Sequence, residues 1–569
     1  MKRLCIAVII TLSAFYSGCA TSSVNEAHTS GTPRLDIANS RAMYLFSLSR
    51  LNSLEGDYEG ALALLRAAAE TDPSASYIHT AMAGIYLKMN QPQEALRACE
   101  DAIDIDPNSF SAHQLAGNIL VNLKRDREAA EHFKRAIEID NTKEELYLHL
   151  AVAYVKTFDY EEAINTLKAL IKVAPDNAFG YYYLGKTYEQ MKLPREAIQY
   201  YRKALEIKPD FEQATIDLAV ALETQGQIGD AITTYRDLLQ KNPQNLSVAQ
   251  HLVQLLIQQK RLEDALALLR TMDNDNIGGL ETKRKIGLLN LELERYDDAI
   301  AVFNQILVQE PEAHQIRYYL AGAYEEKKDL DKAIEEFGKI PSKAFNYYEA
   351  VGHIAYLYKD KGDPDKAISF LNGVIANHPE RLEPYLYLAG INDSLGKPDV
   401  GLKILTGIES KFPADPNLQF RMGVLYDKVG KKDESIARMK QVLKLTPDDP
   451  QALNYLGYTY AELGENLEEA VELLKKANTL RPDDGFILDS LGWAYFKLKK
   501  YEEALKYLER AYEIVDDDAT VLSHLAEIHY ARHDYKSALS LFRRALKIDP
   551  ENKEAQEMIK KIKAVSDER

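Results

Sequence analysis

Residues 178–211 read AFGYYYLGKTYEQMKLPREAIQYYRKALEIKPDF. Tyr181, Leu184, Gly185 and Tyr188 fall at i, i+3, i+4 and i+7, the spacing of one helical face. After a short break, Ala197, Tyr201 and Ala204 mark the apolar face of a second helix. Gly185 and Ala197 are small where two helices must approach closely. Pro209 ends the second helix, because it has no N–H to give and its ring crowds the preceding turn. The stretch predicts two short amphipathic helices.

The same stretch contains GYYYLGKT (Gly180, Gly185, Lys186, Thr187), which spells the phosphate-binding string GxxxxGK[ST]. That string works only as a glycine-rich loop between a strand and a helix, with backbone amides bared to phosphate. Here no strand precedes it. Three tyrosines would keep phosphate from the backbone, and Lys186 falls on a helix surface. No nucleotide is expected.

Looking outward, the pattern recurs. Alanine stands at 61, 95, 129, 163, 197, 231, 265, 299, 333 and 367, always 34 apart. Gly401, Ser435, Ala470, Ala504 and Ala538 continue the series, with one step of 35 at the turn Gly464–Leu467. A proline follows twelve residues after most of them, for example Pro73, Pro209 and Pro447. Fifteen such units point to a repeat array in which each unit buries its apolar face against its neighbours.

The units resemble the tetratricopeptide repeat (TPR). That pattern has small residues at positions 8, 20 and 27, large apolar ones at 4, 11, 17 and 24, and Pro at 32. Counted from residue 42, it fits fifteen times, to about residue 552. The resemblance implies an all-α, right-handed α-solenoid superhelix of helix-turn-helix units that binds other proteins or peptides in a groove. In that scheme positions 4, 7, 8 and 11 pack inward, and 2, 5, 9 and 12 face the groove. A Lys- and Glu-rich segment, 553–569, is expected to supply a polar capping helix and tail. Two units are irregular: the seventh ends in Asp273–Gly279 without its proline, and the ninth has Pro341 too early. A break in regularity is expected between about 270 and 350.

The first eighteen residues, MKRLCIAVIITLSAFYSG, combine Lys2 and Arg3 with an apolar run too short to span a bilayer, the form of a signal peptide. Ser17-Gly18-Cys19 resembles a bacterial lipobox, with Tyr16 standing where that pattern usually has Leu. The resemblance implies a lipid-bearing Cys19, a flexible tether over 19–38 and, with Ala20 next, an outer-membrane lipoprotein facing the periplasm. A Cys19→Ser chain is expected to leave the membrane fraction still folded. The solenoid is assigned to 39–552.

Net charge is −17, and −19 without Lys2 and Arg3, a surface that repels nucleic acid. Cys5, Cys19 and Cys99 are too few and too scattered for a disulfide framework or zinc. His529 and His533 stand four apart, but Tyr530 occupies the place of the metalloprotease general base, and with His524 the three histidines around one helix end read as surface residues rather than a zinc site. Cys99, at position 24 of the second repeat, reads as an apolar filler. No catalytic, cofactor or metal residues are assigned, and the chain is not expected to be an enzyme.

The last three repeats differ from the others. Tyr458, Phe486, Trp493, Phe496 and Tyr530 fall on groove positions, with Asn454, Asp489, Ser523 and Glu527 beside them. Aromatic anchors among polar groups are what binding hot spots contain; packing between adjacent helices is the other reading. On the groove reading Trp493→Ala should weaken partner capture with little change in stability. The block from Ala452 to Tyr530 (ALNYLGYTYAE…GFILDSLGWAYFKL…LSHLAEIHY) looks like the C-terminal segment of large bacterial TPR lipoproteins. Some of these are adaptors that present substrates to a periplasmic C-terminal processing protease. The alternative is an assembly factor for a pilus or polysaccharide-export complex.

Overall fold

The structure, a computed structural model, describes residues 37–567. The signal peptide, Cys19 and most of the tether lie outside the described residues. Those described form helices joined by short turns, with no strand. Each repeat n supplies two helices, nA and nB. By contacts the chain divides into two compact units, one ending at Leu256 and the other beginning at Ile257. Repeats 1–6 belong to the first and repeats 8–15 to the second, with the break inside helix 7A (Leu246–Gln258).

Helix 5A (Ala178–Gln190) shows how sequence makes a repeat. The Asn177 side chain accepts from Gly180 N at 2.9 Å and caps the N-terminus. Tyr182, Leu184 and Thr187 are buried. The helix ends at Gln190; beyond it the backbone of Lys192 enters the left-handed region (φ 60), and Leu193 N returns to Tyr188 O at 2.9 Å. Pro194 then opens helix 5B (Pro194–Ile207), its fixed φ suiting the first turn. Tyr201 and Ala204 are fully buried, and Pro209 follows the cap at Lys208. All the alanines of the 34-residue series are 0% exposed, so their size is set by contact between the paired helices.

The A-to-B turn uses a left-handed residue in every repeat, from Gly56 through Gly464 and then Lys499 and His533. Six of these are glycine; the others adopt a conformation that costs an L side chain roughly 1–2 kcal/mol. Phe158 is one of them, with φ 66 and 76% exposure. Phe158→Gly is therefore expected to raise the stability of its repeat by about 0.5–1 kcal/mol. Chemical denaturation followed in repeats 4 and 5 checks this.

Beside the 35-residue step at Gly464–Leu467, where Gly464 and Asn466 are both at positive φ, regularity lapses in three places. Helix 7B (Leu262–Asn274) joins 8A (Gly279–Glu292) through Asn276, Gly278 and Gly279, all at positive φ. Helix 9B (Leu330–Gly338) has nine residues where most B helices have fourteen. Pro341 cannot extend it and disfavours helical backbone at Ile340. Ile340 turns inward instead, 2% exposed, and packs with Phe337, Ala350 and Ile354. The third lapse was not anticipated. Helix 11B (Pro398–Ile408) has eleven residues and runs into a 3₁₀ turn at Glu409–Lys411. It contains Gly401 and Gly407, which weaken helical propensity.

The C-terminal helix (Lys553–Asp567) lays Ala555, Met558 and Ile562 on Ala526, Ala538 and Phe542 of the last repeat. Its Lys553, Glu554 and Lys560 stay exposed, so it covers an apolar end with a polar surface.

Candidate functional site on the last three A helices

Helices 13A (Pro450–Leu463), 14A (Gly485–Lys497) and 15A (Ala519–Ala531) start alike. Asp449, Asp484 and Asp518 each cap their helix, accepting from two backbone N–H groups. These caps satisfy donors that would otherwise lack partners and fix where each helix begins. Helix 14A therefore presents Phe486, two residues past its cap, 55% exposed.

An open cleft of about 300 Å³ forms on this face. Asn454, Tyr458, Phe486 and Asp489, all assigned to a groove from sequence, line it together. Tyr455, Ser490, Asp518 and Val521 line it too, and the sequence reading missed them. Tyr455 and Ser490 stand at position 6, beside the four positions used for the map. The signal was available, since a helical face broad enough to form a cleft takes in position 6 beside position 5.

Trp493, Phe496 and Tyr530 require a correction. Trp493 is 4% exposed. Its ring stacks on His524 (centroids 4.0 Å, 16°) and on Phe496 (4.9 Å), and its Nε1 donates to Glu462 Oε1 at 2.5 Å. Tyr530 packs on Tyr535 among the side chains under the C-terminal helix. Trp493 is a packing residue; Phe496 and Tyr530 are half-buried, lie outside the cleft and pack against Trp493 and Tyr535. Asp489 (4%) and Ser523 (9%) are also buried, and Ser523 Oγ bonds back to Ala519 O at 2.7 Å. A stripe rule assigns each position a direction. It does not register that a large ring at position 9 can lie against the next A helix.

Beneath the cleft, Asp489 holds His524, with His524 Nδ1 2.9 Å from Asp489 Oδ2. The two are 35 apart: position 5 of one repeat and position 6 of the next. Tyr182 OH donates to Asp217 Oδ2 at 2.9 Å, and Tyr318 OH lies 3.0 Å from His353 Nε2, at the same spacing. This polar tie recurs between adjacent A helices and fixes their register.

Burial alone would lower the His524 pKa. The Asp489 carboxylate in contact, with Glu462 and Glu527 beyond, outweighs it and holds the imidazolium above its ordinary range. A histidine with a raised folded-state pKa contributes stability that is complete below about 6.5 and lost as pH rises through the folded value. Burial, and then Glu554, raise the Glu527 carboxyl, opposed by His524, Lys497 and Lys561. That shift also favours the folded state at lower pH. The last three repeats are thus expected to lose stability as pH rises above about 6.5. Amide exchange measured below and above that pH checks this, and His524→Gln should flatten the dependence.

The other two histidines point elsewhere: His529 Nδ1 lies 3.2 Å from Asp534, and His533 Nδ1 lies 3.0 Å from Tyr535 OH. No group of three His, Cys, Asp or Glu side chains suited to a metal occurs among the described residues. Cys99 is buried and its thiol is pushed up to about 12 by burial and then Glu100. GYYYLGKT lies wholly inside helix 5A. A Cβ on Gly185 would come within 2.5 Å of the Tyr201 ring. Lys186 pairs with Glu189 at 3.0 Å, and Thr187, 1% exposed, bonds to Tyr183 O.

Tetratricopeptide repeat family models match residues 54–119, 124–184, 178–211, 224–276, 284–344, 353–381, 416–449, 448–517 and 494–551. The chain belongs to the tetratricopeptide repeat family. No curated protein matches it. Similar solved structures include yeast Tom70 (15% identity, 81% of this chain and 96% of that one, TM-score 0.38). The Cut9–Hcn1 hetero-tetramer of the APC/C is another (16%, 92% and 99%, 0.38). So is YrrB, titled a TPR protein with an unusual peptide-binding site (24%, 30% and 89%, 0.28).

Proposed function

We propose that the chain is a non-enzymatic adaptor, held by a lipid on Cys19 in the bacterial outer membrane and facing the periplasm. It binds a partner protein in the cleft of repeats 13–15 and presents substrates to a periplasmic C-terminal processing protease. The observation that carries the reading is the convergence of Asn454, Tyr458, Phe486 and Asp489 on one open cleft. An exposed aromatic ring beside polar groups on a rigid helical face is suited to anchoring a protein segment. The anchor rests on the leader sequence and Ser17-Gly18-Cys19.

The test is affinity capture of the membrane-bound protein from its own envelope, beside Phe486→Ala and Cys19→Ser chains. Truncating a hot-spot ring costs about 2 kcal/mol of binding, more than tenfold in affinity. Phe486→Ala should therefore lose the captured protease while its melting temperature stays unchanged, because the ring is already exposed. Cys19→Ser should move the folded chain to the soluble fraction. Recovery of pilus or polysaccharide-export components in place of a protease would overturn the adaptor role. Retention of Cys19→Ser on the membrane would overturn the anchor.

A further inference from the structure

A second groove lies on repeats 8–11, apart from the cleft discussed above. Two adjoining clefts of about 430 and 380 Å³ share Tyr318, Glu325 and His353 as walls. The surface is formed by helices 8A, 9A (His314–Glu326), 10A (Tyr347–Asp360) and 11A (Glu383–Ser394).

Two features distinguish it. The first is a tiling of tyrosines made possible by glycine. A Cβ on Gly352 would come within 2.7 Å of Tyr387 Cζ, and one on Gly390 within 2.7 Å of Tyr356 OH. Each ring thus covers a glycine of a neighbouring A helix, and Tyr356 remains 38% exposed. Beside them, Tyr318 OH contacts His353 Nε2, and His353 Nδ1 lies 2.8 Å from Glu325. The wall is therefore ordered before anything binds.

The second feature is uncompensated charge. Glu292, Glu294, Glu326 and Glu349 are exposed at these clefts, and none pairs with a Lys or Arg among the described residues. Three cations of these helices are already engaged: Lys327 with Asp297, Lys359 with Asp360 and the face of the Tyr356 ring, and Arg421 with Asp393. The field of these carboxylates reaches the rings. Burial, and then Glu349 and Glu383, push the Tyr387 phenol up to about 12.

We infer that this groove binds an extended segment of another protein bearing several Lys or Arg side chains, with cationic heads on Glu292, Glu294, Glu326 and Glu349 and stems along the tyrosine rings. Carboxylates supply charge complementarity, and tyrosine faces attract cations and cover their methylene stems. An acidic chain or a nucleic acid is repelled by the same charges. An extended chain advances about 3.3 Å per residue and adjacent helices stand about 10 Å apart, so crossing three of them takes roughly six to nine residues.

The inference does not depend on the C-terminal cleft. Its test uses the full chain and two labelled dodecapeptides, (Lys-Gly-Ser)₄ and (Glu-Gly-Ser)₄, followed by fluorescence anisotropy. The Lys peptide should bind and weaken with added salt, and the Glu peptide should not bind. Glu326→Lys with Glu349→Lys should lower affinity for the Lys peptide at least tenfold. Glu161→Lys with Glu162→Lys, an equal change of net charge on exposed positions of helix 4B (Tyr160–Val173), should lower it less than threefold. Phe486→Ala should not alter it. Equal losses in the two double variants, or equal binding of both peptides, would overturn the inference.

Discussion

Trp493→Ala is expected to destabilise repeats 13–15 by about 3–5 kcal/mol, the usual cost of truncating a buried Trp or Phe. The ring is 4% exposed, stacked between side chains of 14A and 15A, and bonded through Nε1 to Glu462 on 13A. It therefore joins three repeats. Removing it opens a void beside the buried His524–Asp489 pair and leaves that pair without its stacking partner. In an array whose stability is a sum of neighbouring contacts, the loss should stay local. Amide exchange should accelerate across 13A, 14A and 15A while repeats 1–5 keep their protection. Unchanged exchange in 14A would contradict the packing assigned to Trp493 and return it to the groove.

Gly185→Val is expected to cost about 2–3 kcal/mol. A Cβ alone would come within 2.5 Å of Tyr201, and valine adds two more carbons. In repeat 4 the small residue at position 8, Ala151, shares one buried cluster with a leucine at position 24, Leu167, in place of an aromatic ring. Adding Tyr201→Leu should therefore recover part of the loss, so that the double variant is more stable than the sum of the single changes by about 1 kcal/mol or more. Urea denaturation of the four chains measures this coupling. Additive losses would contradict contact between positions 8 and 24 as the reason for the glycine.

The repeat was legible because its determinants are local. Small residues at positions 8 and 20 meet across one helix pair, and Pro at 32 stops a helix whatever lies beyond it. The shortening of 9B was legible through Pro341 for the same reason. Helix 11B was not, because Pro413 stands in its usual place and the two glycines weaken a helix without forbidding it. The left-handed turn residues were also hidden, since Phe158, Lys192 and His533 carry no turn signature. At the site the limit is direction. Asn454, Tyr458, Phe486 and Asp489 line one cleft, but whether an aromatic ring lies open or against the next helix depends on its neighbour one repeat away. Phe486 stays exposed beside its N-terminal cap, whereas Trp493 finds His524. The tyrosine and glutamate groove of repeats 8–11 was overlooked because glycines at groove positions make no pattern until the rings covering them are seen.

The most direct test of the adaptor reading is photo-crosslinking in the intact envelope from a benzoylphenylalanine installed at Phe486. The same probe at Val308, 82% exposed on helix 8B (Tyr296–Gln309), serves as the comparison. One abundant crosslinked protein, a periplasmic protease, is expected from position 486, and none of it from position 308. The same product from both positions, or none from position 486, would contradict a partner in the C-terminal cleft.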